Sequence, residues 1–543
     1  MRSMLEDIYN FSKVFLLRYL DRLYQFDPIT LLVTTGLVVC ALVQTASFDI
    51  KFLFFTFLRK CPGLREVVRQ RINKAIADVH DSVHKNSRIE YEKCLPLDGL
   101  PTDKIMQKIR RYKACEYIRW TEGYASGSVY PRSTSLEDLS SRVFKEFIWT
   151  NPLHPDLFPD IRRMESEVVR MCLAMFHGNE DACGTTSSGG TESIMLSCLA
   201  YRELARSKGI RRPVIIAPAS VHAAFDKAAH YFSMDLVRIP VVPGSFKADV
   251  NAMRRAINKS TCMLVASAPG FPHGIIDPVE EIAALGAARD IPVHVDCCLG
   301  GFLLPFMDLA GYPIEPFDFR LPGVTSISCD THKYGFATKG TSVILYRNKF
   351  YRSHQFFTQP DWSGGVYASP TLAGSRSGAV IAVCWATMMH FGISGYVEST
   401  RRIVKTTRFI SKQLRKIPGL VVFGNPQVSV VAFGSDVFDI YRLSQMLSEL
   451  PNGRGWNLNN LQFPAAVHLC VTDLHTADGC ADRFIQDVAN AAEELRQQPG
   501  LRTQGTAVLY GMCATLPDRS IVSEVAKGFL DACYSTPDVV EYS

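Results

Sequence analysis

The period of the apolar positions changes several times along this chain, and each change marks a boundary. Residues 29–46 form an apolar run without a charge, near the shortest length that crosses a bilayer as a helix. Behind it, Leu64, Val67, Val68, Ile72, Ala75, Ile76, Val79 and Val83 recur at helical spacing, with Pro62-Gly63 where such a helix would begin. That stripe has to bury somewhere, either on the main globular body or in the membrane interface. A turn-rich break at 96–101 precedes helical stretches over 102–120 and 161–176. From 185 onward short apolar runs alternate with helical stretches: the pattern predicts strands at 214–217, 236–242, 262–266, 292–295, 325–328 and 342–346, and a helix at 194–206. This alternation predicts an α/β fold with a mostly parallel central sheet and helices on both faces. From about 395 the pattern becomes amphipathic helix (396–416) and strand (421–433), expected to form a smaller C-terminal domain. The expected organisation is therefore a leading segment 1–28, a transmembrane helix 29–46, a basic juxtamembrane and amphipathic segment 47–100, an N-terminal segment of the main unit 101–160, a large domain 161–394 and a small domain 395–543.

Charge orients the apolar run. Lys51, Arg59, Lys60, Arg65, Arg69, Arg71 and Lys74 follow it, whereas Arg18 and Arg22 before it are balanced by Asp21 and Asp27. Positive residues stay on the cytosolic side, so the N-terminus is expected in a lumen and the main body in the cytosol. The run begins late and follows an aromatic, mixed-charge stretch, which reads as a retained anchor and not a cleaved signal. A net charge of +6 over 543 residues does not indicate nucleic acid without a concentrated basic patch. The 16 cysteines include no C-x-x-C pair, so no metal framework is expected and they read as reduced thiols. Cys297 and Cys298 read as buried filler.

Three stretches carry chemistry. Ser326-Ile-Ser-Cys-Asp-Thr-His-Lys-Tyr-Gly335 is a strand ending in a polar turn that presents His332 and Lys333. A lysine there can form a Schiff base, which burial and nearby cations favour by lowering its pKa. Pro292-Val-His-Val-Asp-Cys-Cys-Leu-Gly-Gly301 delivers Asp296 at the carboxyl end of another strand, where open α/β sheets bind ligands. Thr185-Thr-Ser-Ser-Gly-Gly-Thr-Glu-Ser193 places Ser188, Gly189, Gly190 and Thr191 before a helix, a phosphate cradle. Taken singly these are also a solvated lysine, a turn-capping aspartate and an ordinary helix start. Together, in the order cradle, aspartate, lysine, they fit pyridoxal 5'-phosphate, with Asp296 keeping the ring nitrogen protonated. Lys339 adds a second cation that suits a phosphate.

These motifs, with His222-Ala-Ala-Phe225, Phe271-Pro-His-Gly-Ile-Ile-Asp277, Gln355-Phe-Phe357 and Asp361-Trp362, make the chain resemble the pyridoxal-phosphate enzymes of the aspartate-aminotransferase fold. Within them it is similar to the group II decarboxylase-like branch, and there to the lyases of phosphorylated sphingoid bases, from about Lys93 to the C-terminus. The resemblance implies a pyridoxal-phosphate-dependent carbon-carbon lyase of the endoplasmic reticulum membrane, splitting the C2–C3 bond by a retro-aldol step into a long-chain aldehyde and phosphoethanolamine. It implies a homodimer with composite sites, His222 stacked on the cofactor ring, and Tyr130 reaching a neighbour's substrate. It places Asn151 and His154 near cofactor and substrate, Gly364 and Gly365 near a neighbour's cofactor phosphate, and Arg376 as a phosphate or structural partner. Phe336, Thr338 and Ser377 stand where the pattern usually has Tyr, Pro and Pro. An amino-acid decarboxylase shares the cofactor residues but needs no anchor; a catalytically inactive membrane adaptor is the remaining alternative.

Overall fold

The structure is a computed structural model that describes residues 62–84, 89–503 and 519–537. The apolar run at 29–46 and the segment before it lie outside the described residues. Of the described residues, 94–503 form one compact unit, and 62–84, 89–93 and 519–537 belong to a second.

The larger unit is built on a seven-stranded sheet: β1 (Cys183–Ser187), β2 (Val214–Pro218), β3 (Asp235–Ile239), β4 (Thr261–Ser267), β5 (Val293–Asp296), β6 (Val324–Cys329) and β7 (Ser342–Tyr346), in spatial order β1-β7-β6-β5-β4-β2-β3. β2 to β6 are mutually parallel, and β7 runs antiparallel to both β6 and β1. Six strands therefore point one way and β7 alone is reversed. Every residue of β2, β4, β5, β6 and β7 is buried, which is why β2, β4 and β7 read as largely apolar runs, while β5 and β6 bury hydrogen-bonded polar side chains: helices cover both faces. Each fully buried Val, Ile or Leu contributes about 1.5–3 kcal/mol relative to exposure. β1, Cys-Gly-Thr-Thr-Ser, has no such run and was not among the expected strands. Its Gly184 is required by close approach, since a Cβ there would stand 2.5 Å from the Ile344 carbonyl oxygen.

Helix α1 (Pro159–Met175) begins with proline in its first turn, where the missing N–H costs nothing. Helix α2 (Gly190–Ser207) follows β1. The stretch expected as one helix over 102–120 is helical only to Lys113, and Trp120–Glu122 forms a separate 3-10 turn closed by Gly123 at φ 89°. Helix α3 (Gly378–Leu414) consists of two helical stretches joined at a kink where Gly392 takes a non-helical φ of 56°, close to the boundary expected at 395. Among the described residues it is the helix long and apolar enough to cross a membrane, but 44% of its apolar window is buried inside the fold and it serves as a core helix. Beyond it, β10 (Val421–Val422), β11 (Val430–Gly434), β12 (Asn459–Leu461) and β13 (Ala466–Cys470) form an antiparallel sheet in the order β10-β11-β13-β12. Between the two sheets in sequence lies a separate exposed ribbon, β8 (Phe357–Trp362) with β9 (Gly365–Ser369).

In the second unit, helix Pro62–His84 packs against helix Arg519–Tyr534. Ile72, Val79, Val525 and Ala532 are buried there, and His84 Nε2 lies 3.1 Å from the Ala532 carbonyl oxygen. At Ile72 and Val79 the apolar stripe expected on the main body or in a membrane interface is buried where a helix from the far end of the chain packs.

Candidate active site

Because β1 to β6 run in one direction, their carboxyl ends share one edge of the sheet, and the chemistry-bearing motifs come off that edge. β1 ends into Ser188-Gly189-Gly190, β2 into His222, β5 at Asp296 and β6 into Asp330-Thr-His-Lys333. β5 and β6 are adjacent, with Asp296 opposite Ser328.

The turn after β6 folds back on itself. Lys333 Nζ lies 2.8 Å from Asp330 Oδ2, and His332 Nε2 lies 3.7 Å from the same oxygen. Asp330 is 2% exposed, whereas 23% of the Lys333 side chain reaches solvent. Burial pulls the lysine down more than any one neighbour raises it, but the charge and hydrogen bond of Asp330, with Cys298 and Tyr130, together hold Lys333 above the ordinary lysine range. This corrects the expectation of a lowered lysine, which counted nearby cations and overlooked the carboxylate three residues away. Burial also pushes Asp330 up, yet the charges of Lys333 and His332 hold it below the usual carboxylate range. His332 is lowered by burial, and its Nδ1 is buried without a hydrogen-bond partner.

Asp296 is fixed from behind. Its Oδ1 accepts from the Cys298 amide at 3.0 Å and from Ser328 Oγ at 3.4 Å, while Oδ2 is left for a further donor. His294, fully buried and lowered to about 4 by desolvation, lies between Ser326 Oγ (2.8 Å) and Ser328 Oγ (3.1 Å). The neutral ring thus tethers the serine that holds Asp296.

The cradle stands where the sequence places it. Gly189 precedes the first turn of α2, whose free N–H groups are the positive end of the helix. A Cβ on Gly189 would be 3.3 Å from His332 Cε1, and one on Gly190 would be 2.6 and 2.7 Å from the two Asp330 oxygens. Glu192 ties the cradle down: it accepts from the Ser188 amide at 2.7 Å and from the Leu372 amide at 3.0 Å. Thr191 is exposed on the first turn. An open Asp296 oxygen, an orphaned His332 nitrogen and a side-chain-free helix start fit pyridoxal phosphate.

A second group faces Lys333. Lys339 Nζ sits 4.7 Å above the Tyr130 ring and donates to the His332 carbonyl at 3.2 Å. Tyr130 is buried and packs edge-on to Tyr334 at 4.9 Å between ring centroids. Desolvation raises its phenol, with Lys333 opposing the shift. Tyr130 thus lies beside the lysines of its own chain, where the sequence reading sent it to a neighbour. Burial and then the charge of Lys333 lower Lys339.

The other expected residues have mixed placements. His222 is half-buried; its Nδ1 accepts from the Ala224 amide at 3.1 Å, and its ring meets Phe271 edge-on. Asn151 braces the loop before α3, donating to Ser375 Oγ at 3.0 Å and accepting from the Arg376 amide at 3.3 Å. Arg376 spends its guanidinium on Glu165 and Thr186, the structural one of its two expected roles. His154 is exposed on its loop, and Gly364 and Gly365 turn the exposed β8–β9 ribbon.

The family model of the pyridoxal-dependent decarboxylase conserved domain matches residues 85–435. Sphingosine-1-phosphate lyase 1 of Rattus norvegicus is 46% identical over 530 residues, covering 95% of this chain and 92% of the rat protein. The chain belongs to the sphingosine-1-phosphate lyase family. The lyase of Drosophila melanogaster is 50% identical over 486 residues, covering 89% of this chain and 88% of that protein. The solved Burkholderia pseudomallei sphingosine-1-phosphate lyase superposes with a TM-score of 0.74 at 40% identity, covering 82% of this chain and 98% of its own. A Lactobacillus brevis glutamate decarboxylase, at 20% identity and TM-score 0.65, shares the fold.

Within this family the departures at Phe336 and Ser377 have local explanations. Phe336 is buried at φ 62° and packs on Phe391 at 4.9 Å. Ser377 caps α3, accepting from the Val380 amide at 3.4 Å. Nothing in the structure explains Thr338. Sequence reasoning missed Asp330, Glu192, Glu165 and His294. For Asp330 the signal was present, since it leaves its strand as Asp296 does.

Proposed function

We infer that this chain is a pyridoxal-phosphate-dependent lyase that cleaves the C2–C3 bond of a phosphorylated sphingoid base, releasing a long-chain aldehyde and phosphoethanolamine. The observation that carries the reading is the meeting of glycine cradle, Asp296 and Lys333 on one sheet edge, in a chain whose relatives along most of its length are lyases of this kind. Lys333 would hold the cofactor, Gly189, Gly190 and the first turn of α2 its phosphate, Asp296 Oδ2 its ring nitrogen, and His222 its ring face. The cofactor supplies an electron sink for the carbon that loses its bond to the aldehyde. Lys339, beside Tyr130, provides a cation for the substrate phosphate. A decarboxylase of amino acids would need a cation for a carboxylate but no anchor.

Incubation with a phosphorylated sphingoid base, with mass analysis of products, is the test. Aldehyde and phosphoethanolamine in equal amounts support the reading; carbon dioxide from an amino acid with no aldehyde would replace it with decarboxylation. Borohydride reduction of the loaded protein followed by peptide mapping should place the reduced cofactor on Lys333. Attachment at another lysine would overturn the assignment.

The same reading includes a single-pass anchor at 29–46 in the endoplasmic reticulum membrane, N-terminus luminal and catalytic body cytosolic, supported by the charge asymmetry around that run. It also includes a homodimer. Phe357, Trp362 and Val366 expose 56–80% of their surface on the β8–β9 ribbon, an apolar area that suits a second copy. Analytical ultracentrifugation of the detergent-solubilised chain tests the dimer, and monomers at micromolar concentration would exclude it.

A further inference from the structure

Asp330 has no part in the roles set out above, yet it is the most tightly enclosed charge at the site. Its carboxylate meets one ammonium, one imidazole whose pKa burial lowers, and the start of a helix. Lys333 Nζ is at 2.8 Å and His332 Nε2 at 3.7 Å, and the first turn of α2 presses on it so closely that only glycine fits at 190. One oxygen, Oδ1, is buried without a hydrogen bond. A buried carboxylate whose main partner is one ammonium is stable only while that ammonium keeps its proton. Lys333 must be neutral to bond to a cofactor or to take it back from a product. A charge so close to Nζ therefore controls when the lysine reacts.

We propose that Asp330 is the positioning residue for Lys333, holding the free ε-ammonium and its proton at Oδ2 whenever Nζ is not bonded to cofactor. The geometry fixes Nζ within the turn after β6, beside the glycine cradle, so the departing lysine stays in place to return. The other groups facing this pair are His332 and Lys339 on the same turn, Cys298 after β5, Tyr130, and Cys470 at the end of β13. Burial raises the Cys298 and Cys470 thiols and the Tyr130 phenol, with Asp296 and Asp330 adding to the rise at Cys298 and the two lysines opposing it at Cys470, so these groups stay neutral. Asp330 is the anion in contact with Nζ. The proposal rests on Lys333 being the cofactor lysine, which the borohydride mapping tests separately.

The experiment uses full-length protein freed of cofactor. Reductive methylation with formaldehyde and cyanoborohydride attacks neutral amines, and peptide mass mapping reads the rate at Lys333 against pH. In Asp330→Asn the half-maximal pH at Lys333 should fall by at least about one unit, so the rate at a fixed pH on the rising limb increases about tenfold. Lys104 on the exposed helix Thr102–Lys113 should not change. A Lys333 profile identical to wild type overturns the proposal. If Asp330→Asn does not fold, Lys333→Ala carries the test, because it leaves Asp330 buried without its cation. Its denaturation midpoint should fall further below wild type at pH 8 than at pH 5, since protonation of the stranded carboxylate relieves the defect. An equal deficit at both pH values would show that the pair is not coupled.

Discussion

Replacing Gly190 with alanine tests how tightly the cradle and the lysine turn are fitted. The added Cβ would lie 2.6 and 2.7 Å from the Asp330 oxygens and 2.8 Å from Cys298 Sγ. Ordinary contact begins at 3.4 Å, so the carboxylate would have to retreat by about 0.8 Å. Any retreat would disturb its contact with Nζ of Lys333, 2.8 Å from Oδ2. Overpacking of this kind costs about 1–3 kcal/mol, and the better helix propensity of alanine returns at most about 1 kcal/mol. The expected result is a net loss of up to about 3 kcal/mol, accompanied by weaker pyridoxal phosphate binding because Nζ is displaced with its partner. Urea unfolding of cofactor-free protein measures the first, and titration of the visible absorption with added cofactor the second. Gly99→Ala, where a Cβ meets nothing within 4 Å, is the control. A Gly190→Ala protein with wild-type midpoint and wild-type cofactor affinity would refute the reasoning.

Asp296→Asn should keep the fold, since Oδ1 can still accept from Cys298, and lower turnover by about a hundredfold or more, as loss of a charge-stabilising group in an active site does; unchanged turnover would mean the ring nitrogen is served elsewhere. His273, His294, His468 and His475 are buried and lowered to about 4 by desolvation. The unfolded chain binds those protons near pH 6.5, so stability should fall as pH drops from about 6.5 toward 4; a urea midpoint that stays flat from pH 7 to 5 contradicts this. Asn258, in an Asn-Lys-Ser sequence, is exposed and so accessible to glycosylation. It should remain bare in a eukaryotic cell if the catalytic body is cytosolic, and glycan there, read by an endoglycosidase mobility shift, would reverse the topology.

What the sequence made legible was whatever announces itself locally. Val214 to Ala217 is an apolar run closed by a turn, and Val324 to Cys329 carries Val and Ile among hydroxyl residues before the polar turn Asp330-Thr-His-Lys333, so both strands and the residues they deliver could be read directly. β1 could not, because Cys-Gly-Thr-Thr-Ser lacks an apolar run and becomes a strand only by pairing with β7. The pairing of helix Pro62–His84 with helix Arg519–Tyr534 joins distant parts of the chain, and periodicity reports that a face is buried without reporting against what. The boundary expected at 395 lies beside Gly392, whose non-helical backbone divides α3 into two helical stretches, although a glycine within an apolar period does not by itself say whether a helix bends or ends there.

Tyr130 and Asp330 show the limit most clearly at the site itself. Asp330 and Lys333 are three residues apart, yet their contact depends on the turn that brings Nζ back to Oδ2, and without that turn the lysine reads as one lowered by its cationic neighbours. Tyr130 lies far from Lys339 in sequence but 4.7 Å from it in space, within one chain. A mixed dimer of Lys333→Ala and Tyr130→Phe chains would therefore bring together no tyrosine and lysine that each chain does not already hold as a pair. Any contribution from a neighbouring copy has to come from elements that remain unpartnered within the chain. The β8–β9 ribbon is such an element, because Gly364 and Gly365 turn it outward and leave Trp362 and Val366 uncovered. Removing apolar area at Trp362 and Val366 should thus weaken association in the proposed homodimer while leaving the Asp330–Lys333 contact in place.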